Sequence, residues 1–236
     1  MDNKSKQELE NAMIELDKSI PKGEHIVNIF KAILATFPFT GGIASLITDY
    51  IPNNKQKRLI EFTKQVAEDF QKIKDKINEG ALLNESYAYI FETSFRKAAE
   101  NYQKIKLEAF RAIIINSAII SDLKDSEKEY FLNLANNLTP LHITILKFLS
   151  NPEDYLIEMN IPKKNIRGSF EDFSIIIPNI SIDVIKIAFN ELFNLGLLKD
   201  SSGIFNVLST TMGFDLFKNK VTDVGMRFID FIKLPK

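Results

Sequence analysis

Two histidines, one adjacent acid pair and one small basic cluster are the residues here whose types could do chemistry. A histidine acts as a general base or metal ligand when a carboxylate, hydroxyl or second ligand stands within reach. His25 and His142 fall in different predicted domains, and neither has a second ligand at helical spacing. No HExxH pair is present. His142 follows a helix start and reads as a surface or half-buried packing residue. His25 follows Glu24 in a polar turn and reads as structural. Glu171-Asp172 could in principle share acid and base work, but the pair sits in a connector and reads as solvated charge. Gly41-Gly42 is not followed by Lys-Ser/Thr, and Pro21-Lys22-Gly23 lacks the glycine spacing of a phosphate loop. No GxSxG elbow occurs. No catalytic, cofactor-binding or metal-binding residue is assigned, no cofactor is expected, and the chain is not expected to be an enzyme.

Composition limits the remaining classes. A chain of 236 residues holds one large domain or two small ones. Its net charge is −1, so no global field gathers nucleic acid or anionic lipid. Residues 138–236 carry eleven Lys/Arg against eleven Asp/Glu, and residues 1–137 carry nineteen against twenty, so neither part is a basic module. Cysteine is absent, which removes thiol catalysis and fits a reducing, cytoplasmic setting. Residues 1–22 are polar where a signal peptide needs an apolar core, so secretion by that route is not expected. Nineteen phenylalanines and no tryptophan point to aromatic knobs at helix contacts.

Periodicity then supplies the elements. Leu9, Met13, Leu16 and Ile20 mark a short amphipathic helix. Residues 26–48 are the most apolar stretch and read as two short arms around the bend Phe37-Pro38-Phe39-Thr40-Gly41-Gly42. In 55–78, Leu59, Phe62, Val66, Phe70, Ile73 and Ile77 form one apolar seam, with Gly80 as a stop. In 85–120, Tyr87, Phe91, Phe95, Ala98, Tyr102, Ile105 and Phe110 mark one face, and Ala112 to Ile120 should be buried on several sides. The short linker makes these two an antiparallel hairpin. Ser126 and Glu129 match a capping box for a helix to about Asn136. The domain boundary is placed at Asn136-Asn137, dividing 1–137 from 138–236.

In the second domain Thr139 caps and Pro140 opens a helix, and Pro152 to Met159 forms another. Ile175-Ile176-Ile177 reads as a small strand or core plug. Ser181 and Gly196 bound a third helix. Ile204 to Leu208 and Phe214 to Phe217 are the expected wing strands. Thr222 caps a closing helix bearing Val224, Phe228 and Phe231. The expected fold is mostly α: an N-terminal helical bundle plus a C-terminal winged-helix-like domain with a small β wing.

Three binding surfaces follow. Lys163, Lys164, Arg167, Lys186, Asn190 and Asn194 are the nucleic-acid candidates, with the last three at four-residue spacing on the third helix. Asp183 and Glu191 oppose them, far from the basic patch such a reader needs. Phe37, Pro38, Phe39, Gly41 and Gly42 are the candidate membrane element, although each arm falls short of the roughly 20 apolar residues of a single span. The seam of 55–78 could pair two copies as a homodimer, but packing within its own chain is the commoner use.

Residues 138–236 resemble a winged helix-turn-helix domain, carried by Leu138-Thr139-Pro140-Leu141, Asn190 to Leu198, and Val221 to Phe228. That resemblance implies DNA contact through the third helix, which the weak basic character of that helix opposes. The whole layout resembles, more loosely, bacterial abortive-infection proteins of the alpha type, through the leucine–proline opening and the ending Thr222-x-x-Gly225-x-x-Phe228. That resemblance implies a role in phage exclusion and supplies no catalytic residues. The expected function is a non-enzymatic bacterial interaction protein that binds a protein partner. A DNA-binding regulator and a membrane-active effector are the alternatives.

Overall fold

A computed structural model describes residues 53–82, 84–119, 122–206 and 212–235. The chain divides into two compact units, Met1–Asn136 with Ile232–Lys236, and Asn137–Phe231. The described residues are mostly helical, and β structure among them is limited to two isolated bridges, Ile77 with Ile119 and Leu198 with Val221. None of the described helices is long and apolar enough to cross a membrane. The apolar stretch 26–48, its bend at Phe37, Pro38, Phe39, Gly41 and Gly42, the helix expected before it and His25 lie outside the described residues.

The first unit is built from α1 (Asn53–Lys72), a short α2 (Glu79–Leu82), α3 (Glu85–Glu100), α4 (Lys104–Ser117) and α5 (Asp125–Asn137), the last residue of which belongs to the second unit. Helices α1, α3 and α4 pack on one another. The seam Leu59, Phe62, Val66, Phe70 and Ile73 is buried, so it is covered within its own chain. Phe62 meets Phe95 edge-on at 5.1 Å, and Phe95 stacks on Phe91 at 4.6 Å. The Arg111 guanidinium ties α4 to α1, with Nε 2.7 Å from Asp69 Oδ2 and Nη1 donating to Gln65 Oε1 at 2.6 Å.

Three boundaries differ from expectation. The first long helix stops at Lys72 instead of Asn78. Asn78 is a cap: its Oδ1 accepts from the Gly80 and Ala81 amides and starts α2, so Gly80 lies inside a helix. The helix expected over 85–120 is broken at Asn101–Gln103. Asn101 is extended (φ −99°, ψ 142°), and its backbone and side-chain N–H groups both donate to Lys97 O, closing α3. The break shifts the helical phase, so Tyr102 is 73 % exposed instead of continuing the Tyr87–Ala98 face. The capping box at Ser126 is absent as well. Helix α5 begins two residues earlier, with Lys124 O accepting from Glu127 and Lys128, and Glu129 instead accepts from Ser86 Oγ at 3.2 Å.

A buried lysine closes α5. Lys106 Nζ donates to the carbonyls of Ala135 and Asn136 and lies over the Phe110 ring. A cation here meets the negative end of the helix. Burial, with a smaller push from Lys97, lowers its pKa to about 8.

The second unit contains α6 (Pro140–Ser150), α7 (Pro152–Glu158), α8 (Phe173–Ile176), α9 (Ile182–Asn194) and α10 (Asp223–Phe231). Helix α6 packs on α7, α9 and α10. Its centre is aromatic. Phe148 meets Phe173 and Phe217 at 5.7 and 5.1 Å, Phe173 meets Phe189 at 5.9 Å, and Phe205 meets Phe217 at 5.4 Å. All but the tilted last pair are edge-to-face, a packing that stabilises beyond the area buried.

The wing strands are not formed in the described residues. Residues 204–206 are helical and Gly213–Phe217 is a 3₁₀ turn, while 207–211 lie outside the described residues. Phe205 and Phe217 sit in the aromatic centre, carried there by that short helical turn and by the 3₁₀ turn. What pairing exists is one step long: Leu198 bridges Val221, flanked by Lys199 N–H to Lys220 O and Thr222 N–H to Leu197 O. Ile175-Ile176-Ile177 is not a strand either; α8 buries Ile176 and leaves Ile175 exposed.

Candidate functional site

Helix α9 follows Ser181, whose side chain makes no capping hydrogen bond, and local chemistry closes its C-terminal end. Gly196 adopts φ +71° after its end, and the amides of Leu197 and Gly196 close back on the carbonyls of Leu192 and Phe193. That pair of bonds is a Schellman stop, which favours glycine at the left-handed position. Ile185, Ala188, Phe189 and Leu192 face the core. Away from the core, Val184 is 49 % and Ile187 60 % exposed, one helical turn apart, beside the exposed Asp183, Lys186 and Asn194; Phe193 is exposed on the other flank, and Leu195 just past the helix end. A single exposed apolar residue is ordinary, whereas Val184 and Ile187, three residues apart, are neighbours on the helix surface.

The charged groups on α9 are two acids and one lysine. Asp183, Lys186 and Glu191 are exposed on α9, and Glu171, whose pKa is lowered first by hydrogen bonds from its own backbone and from Ser169, feels Lys186 as a smaller contribution. Asn194 is exposed, but Asn190 is not part of an outward stripe. Its Oδ1 accepts the Ser202 amide at 2.9 Å and anchors the following turn. Lys164 and Arg167 are exposed. Lys163 is engaged twice, with Nζ 2.8 Å from Glu153 Oε1 and 4.4 Å over the Phe214 ring. Lys218 reaches the same Glu153 oxygen at 3.0 Å, and these two ammonium groups hold the Glu153 carboxyl down to about 2. Of the six nucleic-acid candidates, Lys164, Arg167, Lys186 and Asn194 are exposed, Lys163 is paired with Glu153, and Asn190 is taken up by the Ser202 amide.

The structure brings together one set of groups that the sequence left apart. Thr139 caps α6, and its backbone N–H donates to His142 Nδ1 at 3.1 Å. His142 Nδ1 is also 2.7 Å from Thr139 Oγ1, and His142 Nε2 is 2.7 Å from Glu191 Oε2. With Nδ1 accepting the amide, Nε2 carries the proton and donates to the carboxylate. Hydroxyl, imidazole and carboxylate are in series, the order used to activate a nucleophile. The imidazole lone pair is already engaged by an amide of the same turn, so this series acts as a latch between α6 and α9. His142 is buried, which corrects its reading as a surface or half-buried group.

Asp172 is also corrected. It is buried, and its Oδ2 accepts the amides of Arg167, Gly168 and Ser169 at 2.8, 2.7 and 3.0 Å. It organises the connector, while Glu171 beside it is exposed. The signal available in the sequence was Ser169-x-x-Asp172, a capping-box spacing. The exposed Val184 and Ile187 had a signal too: α9 is apolar around more of its circumference than a one-sided packing helix requires.

No family model, curated protein or solved structure matches this chain.

Proposed function

We propose that this protein is a non-enzymatic interaction protein that binds a protein partner through the exposed face of α9. The observation that carries this reading is the exposure of Val184 and Ile187 on the helix that, in a winged-helix-like unit, would meet DNA. Apolar contact area without net charge suits a protein surface, whereas DNA binding draws on cations that neutralise phosphates. The pairing of Lys163 with Glu153 weakens the DNA reading further. A role in phage exclusion is the setting that the loose family resemblance implies.

The test uses the full-length tagged chain and compares recovered partners quantitatively. Val184→Asp with Ile187→Asp should abolish capture of the specific partner, while Lys163→Ala with Lys164→Ala should leave it intact. The opposite pattern, joined to a salt-dependent shift of duplex DNA, would transfer the function to nucleic-acid binding.

A further inference from the structure

A small cavity in the first unit is lined by Asn84, Tyr87, Ser117, Asp125 and Lys128, with Ala81 and Ile90 completing its wall. Tyr87 Oη and Ser117 Oγ are buried and have no hydrogen-bond partner in the structure. Bare buried hydroxyls are rare, because each loses its hydration without replacement. A third group points the same way. Lys128 is buried, yet its Nζ stands 3.7 Å from Asp125 Oδ1, too far for a direct hydrogen bond. Asp125 Oδ2 is already bound at 2.9 Å by Asn84 Nδ2.

We infer that this cavity binds one ordered water molecule that joins Tyr87, Ser117 and the Lys128–Asp125 pair. Size and charge select that occupant. The centre of a water-sized sphere has about 10 Å³ in which to move, which is room for one water. A carboxylate in the wall opposes an anion, and an ammonium opposes a cation. A neutral molecule with two donors and two acceptors suits both. It can accept from Lys128 and the Tyr87 hydroxyl and donate to Ser117 Oγ and Asp125. Burial raises the Tyr87 pKa, so its O–H remains a donor at all ordinary pH. The cavity wall draws on α2, α3, α4 and α5, so the water completes the polar contacts of four helices.

The sign of one isosteric substitution separates a filled cavity from an empty one. With water bound, Tyr87→Phe removes one of its partners, and the unfolding equilibrium constant of the full chain should rise about 5-fold. Ser117→Ala should do the same, and the double variant should lose less than the product of the two, because both hydroxyls hold one molecule. If Tyr87→Phe stabilises instead, the hydroxyl was bare and the proposal falls. A crystal structure of the unmodified chain is the second measurement. Density for one water within hydrogen-bond distance of Tyr87 Oη and Ser117 Oγ is the expected result. An empty cavity, or a site that gives a bromide anomalous signal after a halide soak, overturns it.

Discussion

His142 Nε2 and Glu191 Oε2 are 2.7 Å apart although 49 residues separate them in the chain. The contact joins the first turn of α6 to the last turns of α9, and the other imidazole nitrogen supports the Thr139 cap. Replacing His142 with Ala removes the cap support and a buried ring together. A loss of about 2 kcal/mol is expected in denaturant unfolding. Glu191→Ala leaves the cap in place and should lose about 1 kcal/mol or less, because that carboxylate is half in solvent. Equal losses from both would show that the latch, not the cap, dominates.

Gly225 explains part of the Thr222-x-x-Gly225-x-x-Phe228 ending. Thr222 Oγ1 accepts the Gly225 amide at 3.1 Å and donates to Gly196 O at 2.7 Å, and Phe228 is fully buried. A Cβ at Gly225 would lie 2.5 Å from the Leu197 carbonyl oxygen, which the Thr222 amide fixes in place. Gly225→Ala should therefore cost about 2 kcal/mol or more. At Gly196 a Cβ meets nothing, and only its positive φ is strained, so Gly196→Ala should cost about 1 kcal/mol. Thermal unfolding of the two variants checks the order.

Lys106 predicts a pH dependence. Its folded pKa is about 8, below the ordinary 10.5, so between these values the unfolded chain holds a proton that the folded chain has released. Stability from this group therefore rises as pH increases through that window, and the burden of the buried ammonium is present in full below about pH 8. Tyr87 acts in the opposite direction once pH passes its ordinary 10.0, because burial raises its pKa. Unfolding measured from pH 8 to 10 should show a more positive slope for the native chain than for Lys106→Met.

The exposed face of α9 should separate function from folding. Val184 and Ile187 have little to lose on replacement, so Val184→Asp and Ile187→Asp should each change stability by no more than about 0.5 kcal/mol. Circular dichroism and denaturant midpoints near those of the native chain would show that lost partner binding reflects the surface and not the fold.

Local terms were legible in the residues. The mostly helical class, the Thr139-Pro140 start, the Gly196 stop and the seam from Leu59 to Ile73 rest on interactions three to six residues long. The sequence by itself also determined the near-neutral charge of both parts and the lack of cysteine. Burial and long-range pairing were decided elsewhere. Apolar periodicity shows that α9 has faces to cover, but residues distant in the chain decide which face is covered and leave Val184 and Ile187 out. Phe205 and Phe217 entered an aromatic centre instead of a wing, because contacts with Phe173 and Phe148 compete with local preference. Only the tertiary structure could decide these, since a side chain's surroundings are set by whatever the folded backbone brings beside it.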